Sequence, residues 1–363
     1  MTSDTPQHAI RTAIEKIATG PHLSKPLTRD EAREAFAAIL SGHATPAQIG
    51  VFLIALRMKR ETDDEFLGLL DALISETNPI TVAVESLAIL ADPFDGFARS
   101  MPASPFLPAV LAACGLPTLA IGLPRLGPKY GVTHAQILSA AEIPVARTPQ
   151  EAAAAVEHCG WSYCDQHQYA PRIAALVPLR NEIVKRTALN TLETLAKPLL
   201  GKRETHHLSG YVHSPYARLY ALLARAAGFT SAAITKGVEG GFLPPLNKTS
   251  VVVRMPTEGD TTESIDPGAL AIQHAVRAPE WPRAMPDPTD SPDWQRDAAH
   301  YAAQTGIAAL QGAPGPTADA LVYGAAIALW HTGKVGSLAE GAARARSVLR
   351  NGAAWDRWVA GKN

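Results

Sequence analysis

Three helix starts of one design, followed by a change of pattern near residue 86, most constrain what this chain can fold into. Thr28 stands three residues before Glu31, Thr45 before Gln48 and Thr62 before Glu65. In each pair the threonine hydroxyl can accept from the third helical N–H while the longer side chain reaches back to the threonine N–H. Pro46 suits the first position of the middle helix, and Gly42 stops the helix before it. The spacing predicts three short helices packed together, the middle one burying Ile49, Phe52, Leu53 and Leu56 as a stripe.

Beyond this unit, short apolar runs alternate with longer helical segments. LPTLAIG (116–122), LSGYVH (208–213), SAAITKG (231–237) and TSVVVRM (249–255) read as strands. SPYARLYALLARAAG between them reads as a helix capped by Ser214, begun by Pro215 and ended by Gly228. The expected fold is α/β: a small all-helical N-terminal domain (1–80) and a large α/β domain (81–363) with a mostly parallel central sheet. Residues 256–297, rich in Pro, Asp, Glu and Thr, read as a long irregular surface connection. The chain then returns to helix, punctuated by Gly333, with Ser337 and Glu340 starting the last one.

Composition narrows the function classes. Of 363 residues 47% are hydrophobic and 18% charged, which excludes a disordered chain. The 33 basic residues balance 34 acidic ones, so nucleic acid or an anionic membrane would have to be met by a local patch. Cys114, Cys159 and Cys164 are too few for a disulfide framework. The N-terminus carries acids, unlike a secretory signal, and LPAVLAACGLPTLAIG is too short and proline-broken to span a bilayer. The expectation is a cytoplasmic protein without membrane contact. EHCGWSYCDQH gathers two cysteines and two histidines, but no second cysteine pair exists, and it reads as a partly buried aromatic segment rather than a zinc site.

LTRDEAREAFAAILSGHATPAQIGVFLIALRMKRET, VPLRNEIVKRTALNTLETLAKPLL and the C-terminal LQGAPGPTADALVYGAAIALWHTGKVGSLAEGAARARSVLRNG together resemble the anthranilate phosphoribosyltransferase family, whose fold is shared with pyrimidine nucleoside phosphorylases. The resemblance implies a cleft between the two domains, a mid-chain contribution to the helical domain near residues 168–195, and a homodimer formed through that domain. It also implies three site elements. A Gly-Thr-Gly-Gly-Asp loop would hold the donor diphosphate, but ADPFDGF stands there, with Asp92, Pro93, Phe94, Asp95 and Gly96. Proline removes a donor, the side chains oppose close backbone approach, and carboxylates oppose phosphate.

The second element, a Lys-His-Gly-Asn stretch, is replaced by AIGLPRLGPKYGVTHAQIL, which keeps Gly122 and the cations Arg125 and Lys129. Gly131 and Thr133 there form either an anion-binding turn or an ordinary strand-to-helix turn. The third, an acidic pair holding magnesium, is reduced to Glu239 in ITKGVEGGFLPPLNK, so Mg2+ is expected only if transferase activity is retained. Arg180 aligns with the arginine that receives the acceptor carboxylate, or else ties two helices together.

NTLETLAKPLLG and the segment from Gly210 to Gly241 are similar to a branch of the family in which the donor loop is also replaced and dimers bind DNA or RNA through basic clusters. Arg180, Lys185, Arg186, Lys197, Lys202 and Arg203 form the matching concentration here, which otherwise reads as a solvated helix face. The sequence thus admits three functions: a catalytically altered dimer binding nucleic acid or another phosphorylated ligand; a phosphoribosyltransferase with a rebuilt site, Arg180 on the acceptor and Arg125 and Lys129 on phosphate; or a protein-binding scaffold.

Overall fold

The structure, a computed structural model, describes residues 5–20, 22–256 and 259–362. The first four helices are α1 (Pro6–Ile17), α2 (Arg29–Leu40), α3 (Pro46–Lys59) and α4 (Asp63–Ser75). All three threonine capping boxes form, with Thr28, Thr45 and Thr62 accepting from Glu31, Gln48 and Glu65 N–H groups. Glu65 is fully buried and also accepts from Leu27 N–H at 2.8 Å and from Lys59 Nζ at 2.7 Å, which joins α2, α3 and α4 at one carboxylate. Ile49, Phe52, Leu53 and Leu56 are the buried residues of α3.

Strands β1 (Ile80–Thr81), β2 (Ser86–Ala91), β3 (Thr118–Gly122), β4 (Trp161–Asp165), β5 (Leu199–Leu200), β6 (Glu204–Gly210), β7 (Ser231–Thr235), β8 (Ser250–Met255) and β9 (Thr261–Ile265) make two sheets. The large sheet has order β4-β3-β2-β6-β7-β8-β9, and β1 pairs with β5. Its first five strands are parallel, while β8 and β9 are antiparallel additions. Every residue of β2, β3 and β7 is buried, as parallel strands covered on both faces require. Side chains alternate between two cores: Leu87, Ile89 and Ala91 join the core shared with the helical unit, and Ala88 and Leu90 join the opposite one under helix Pro316–His331. The parallel strands place the loops after β2, β3, β4, β6 and β7 along one edge, the usual location of an α/β site.

Several sequence expectations need correction. Residues 256–297 are not wholly irregular: β9 lies within them, and a helix begins at Pro292. β9 is a short edge strand with exposed polar residues, so it lacks the apolar signature of the others. WSYCD is β4, fully buried, with Cys159 and Cys164 as free thiols inside the protein. Among the described residues no group of three His, Cys, Asp or Glu side chains could hold a metal ion. Ser214 makes no cap hydrogen bond, because its own backbone is already helical. The sixth strand occupies 204–210 rather than 208–213, and the last helix is Ala353–Ala360. Among the described residues no helix is long and apolar enough to cross a membrane.

At the centre of β6, His207 is fully buried against Phe229, with ring centroids 4.9 Å apart and neither ring nitrogen hydrogen-bonded. Burial lowers its pKa from 6.5 to about 3. Below pH 6.5 the unfolded chain therefore takes up a proton that the fold refuses, and stability falls as pH falls until about pH 3. His207→Leu, of similar volume and apolar, removes that term. In urea unfolding its stability relative to the parent should improve by up to about 1.4 kcal/mol for each pH unit below 6.5. A difference independent of pH would mean that this ring is not held neutral.

Candidate functional site

The loop leaving β2 is held from all sides by the protein itself. Asp92 is buried, and its carboxylate accepts from Phe242 N–H at 2.7 Å, from Ser104 Oγ at 2.5 Å and meets His134 Nε2 at 3.1 Å. Burial pushes this carboxyl up, but His134, Ser104 and Phe242 outweigh it and hold the group below its ordinary range. Ser104 Oγ also lies 3.0 Å from His134 Nε2. A nucleophile relay needs carboxylate and hydroxyl on opposite ring nitrogens. Here both meet Nε2, so the trio is a lock between loops rather than an acyl-transfer device.

Gly96 has φ +74°, and a Cβ there would fall 2.5 Å from the Gly131 carbonyl oxygen. The two glycines let the chains pass in contact, and Phe97 and Val132 exchange backbone hydrogen bonds of 2.9 and 2.7 Å. Asp95 is buried, with Arg186 Nε at 2.7 Å and Lys129 Nζ at 3.7 Å. The next three N–H groups, those of Ala98, Arg99 and Ser100, all donate to the Glu239 carboxylate, at 3.2, 2.8 and 2.8 Å. Lys129 Nζ stands 3.4 Å from the same carboxylate. Consecutive backbone N–H groups beside a cation are what an anion site is made of, and Glu239 is the anion in it. Its backbone is left-handed, φ +51° and ψ 19°, an uncommon conformation for glutamate.

The remaining expected donor residues are also committed. Gly122 ends β3 in the interior, next to Tyr163. Thr133 caps helix His134–Ala140 in a capping box with Gln136, so the turn is an ordinary helix start with the Thr133 and Gln136 N–H groups used. Arg125 lies over the Tyr130 ring at 4.4 Å and donates to Gln295 Oε1 and the Asp290 carbonyl. Arg180 is buried in a two-pronged pair with Glu193, at 2.7 and 2.9 Å, which makes it a tie inside the protein. Burial dominates at Glu193 and raises its carboxyl despite Arg180. Asp92, Asp95 and Glu239 each face protein donors, so this carboxylate set does not fit Mg2+, which keeps several waters and substrate oxygens in its shell.

The basic stretch 180–203 does not form one surface. Lys202 and Arg203 precede β6 and bond to Val84 and Glu85 at the opposite end of the strand from its cleft edge, about 20 Å away. Lys197 donates to Gly228 O and stands over Phe229. Lys185 and Arg186 alone of the six line a cleft of about 1030 Å3 between the helical unit and the sheet edge. Arg57, Arg60 and Arg218 join them there. Arg57 donates to the Arg186 carbonyl, and Arg218 grips Asp63 at 2.7 and 2.8 Å, both across the cleft. These three arginines were not singled out from the sequence, where the only hint is the basic end of α3, RMKR. The cleft walls carry Phe66, Phe94, Tyr211, Tyr216 and Tyr220, and Val184 at its mouth is 58% exposed with φ +58°.

Glu239→Ala would remove the shared acceptor of three N–H donors on a half-exposed edge and one of the two carboxylate partners of Lys129. The expected loss is about 1–2 kcal/mol in urea unfolding, since water can reach part of the vacated edge, partly restored by millimolar phosphate, which can enter the vacated N–H groups. Glu85→Ala, on an exposed surface pair, should change stability by less than about 0.5 kcal/mol. Equal effects of the two substitutions would show that the Glu239 contacts contribute nothing special.

Residues 11–76 match the glycosyl transferase family, helical bundle domain. The chain is 29% identical over 344 residues to an anthranilate phosphoribosyltransferase of Rhodopseudomonas palustris (strain ATCC BAA-98 / CGA009), covering 95% of each. It is 29% identical over 345 residues to that of Bradyrhizobium diazoefficiens, again covering 95% of each. The crystal structure of anthranilate phosphoribosyltransferase from Thermus thermophilus superposes with TM-score 0.75 at 22% identity, over 98% of this chain and 99% of that one. The Saccharomyces cerevisiae enzyme in complex with PRPP and Mg superposes with TM-score 0.75 at 13% identity, over 98% and 97%. A helical bundle in front of a mostly parallel α/β layer, over its whole length, is thus the fold this chain has in common with anthranilate phosphoribosyltransferases.

Proposed function

We propose that this protein is a binding relative of anthranilate phosphoribosyltransferases, its donor site closed by its own carboxylates, and that its cleft takes nucleic acid or another phosphorylated ligand. The observation that carries this reading is the Glu239 carboxylate seated on the N–H groups of Ala98, Arg99 and Ser100 beside Lys129. A diphosphate placed there would have to displace a carboxylate and would meet Asp95 as well. The open cleft, by contrast, combines arginines, a lysine and aromatic rings, the combination that tracks a phosphate backbone while stacking bases. A retained transferase, with Mg2+ brought by the donor, is the second reading. The 29% identity over 95% of the length favours it.

The proposed assembly is a homodimer through the helical unit. Val51, Ile54, Ala55 and Met58 form one stripe on the outer face of α3, Val51 being 46% and Met58 75% exposed. If that stripe is the contact, Val51→Glu should sediment as a monomer at concentrations where the parent is a dimer; a parent that is itself monomeric would remove the proposal.

The two readings separate in one thermal-shift and binding series. Phosphoribosyl pyrophosphate with Mg2+ at millimolar concentration should leave Tm unchanged, whereas a single-stranded oligonucleotide should raise it. With about three phosphates met by Arg57, Arg60 and Lys185, log K against log salt should fall with a slope of about −2. A Tm rise with the sugar diphosphate selects the transferase. Absence of oligonucleotide binding at low salt rejects the nucleic-acid reading.

A further inference from the structure

The cleft has a polarity of its own, and we propose that it seats one nucleoside monophosphate unit with the base and sugar inward and the phosphate at the rim. The inference rests on the reading of the cleft as a site for phosphorylated ligands and goes beyond it in naming the unit and its orientation. The rim carries three cations, Arg57, Arg60 and Lys185, against one carboxylate, Glu61, beside Arg57. The Arg60 and Lys185 side chains, both exposed, have no hydrogen bond or ion pair among the described residues, and Arg57 gives one bond to a carbonyl. The floor is different in kind. Thr187 Oγ1 lines the cleft, is buried and has no hydrogen-bond partner, which is costly for a hydroxyl unless a ligand or water answers it. Asn190 beside it spends its side-chain oxygen on Thr187 N–H and keeps its amide donors uncommitted among the described residues.

Charge fixes the direction. The inner wall carries the carboxylates of Asp95 and Glu239, already paired to Arg186 and Lys129, so a phosphate sent inward would meet two negative groups. A neutral base and sugar meet instead a hydroxyl, an amide and the partly exposed ring of Tyr216. Outward, the phosphate reaches Arg60 and Lys185. A sugar phosphate would match the rim and the polar floor but leave the aromatic walls unused.

The test is calorimetric titration of the whole chain with adenosine and uridine 5′-monophosphates, their nucleosides, ribose 5-phosphate, inorganic phosphate and a single-stranded oligonucleotide. The monophosphates should bind at least about tenfold more tightly than any of the three fragments. Lys185→Ala and Arg60→Ala should each weaken the monophosphates about tenfold and leave the nucleosides unchanged. Thr187→Val, which keeps the side-chain shape, should weaken nucleoside and monophosphate equally by about threefold or more. Should Thr187→Val disturb folding, Asn190→Ala gives the same readout, checked by its melting curve. Ribose 5-phosphate or inorganic phosphate binding as well as the nucleotides would overturn the proposal. So would rim variants that weaken the nucleosides as much as the nucleotides. An oligonucleotide that binds while no mononucleotide competes would sink this inference and leave the cleft reading standing; failure of both would remove the two together.

Discussion

The N–H groups of Ala98, Arg99 and Ser100 converge on one anion, the carboxylate of Glu239. Three consecutive amides that point the same way cannot all bond to one neighbouring strand, and on this half-exposed edge a single carboxylate gathers all three. The glutamate adopts a left-handed backbone to reach them, at a cost of about 1–2 kcal/mol. Charge-assisted bonds of about 1.5–3 kcal/mol each exceed that cost. The same contact ties the loop after β7 to the loop after β2. Asp92, accepting from Phe242 N–H and Ser104, repeats the tie one turn deeper. Trp281 Nε1, donating to the Ala98 carbonyl, closes the outer side.

Sealing this edge redistributes charge across the cleft. Lys129 and Arg186 are drawn toward Asp95 and Glu239, and Arg125 is taken up by Tyr130, Gln295 and Asp290. What remains unspent lies at the other wall, on Arg60, Lys185 and most of Arg57. A cleft so divided has a negative but compensated interior and a mouth that stays net positive with Glu61 beside Arg57. The field along it therefore orients a polar ligand before any contact is made.

The amount of this that the sequence discloses depends on how local each feature is. The three threonine caps involve groups three residues apart, so Thr28, Thr45 and Thr62 could be read without a partner segment. The buried strands could be read where a small apolar run forms their middle, as in β3 and β7, but not in β4, whose Trp, Ser, Tyr, Cys and Asp hide its burial, nor in the exposed β9. Arg180 and Lys202 are close in sequence yet end in the interior and at the far end of β6, because strands and helices carry successive charges to opposite ends of the layer. Arg57 and Arg218, distant in sequence, converge across the cleft. The role of Glu239 needed the most: 139 to 141 residues separate it from its donors, and no pattern within either loop names the other.

Likeness to the transferases over nearly the whole chain and a loop edge tied by Asp92 and Glu239 are compatible because the two rest on different residues. The fold is held by residues such as Leu87, Ile89 and Ala91 on one face of β2 and Ala88 and Leu90 on the other, which touch no ligand. The site is made by the loops at the strand ends, where side chains contribute little to either core and can change without disturbing the layer. Asp92 is the one point where the two meet. It comes directly after the last residue of β2, is itself buried, and holds the loop through a backbone amide, a hydroxyl and an imidazole. From that position the loop runs on to Ala98, Arg99 and Ser100, whose N–H groups donate to Glu239.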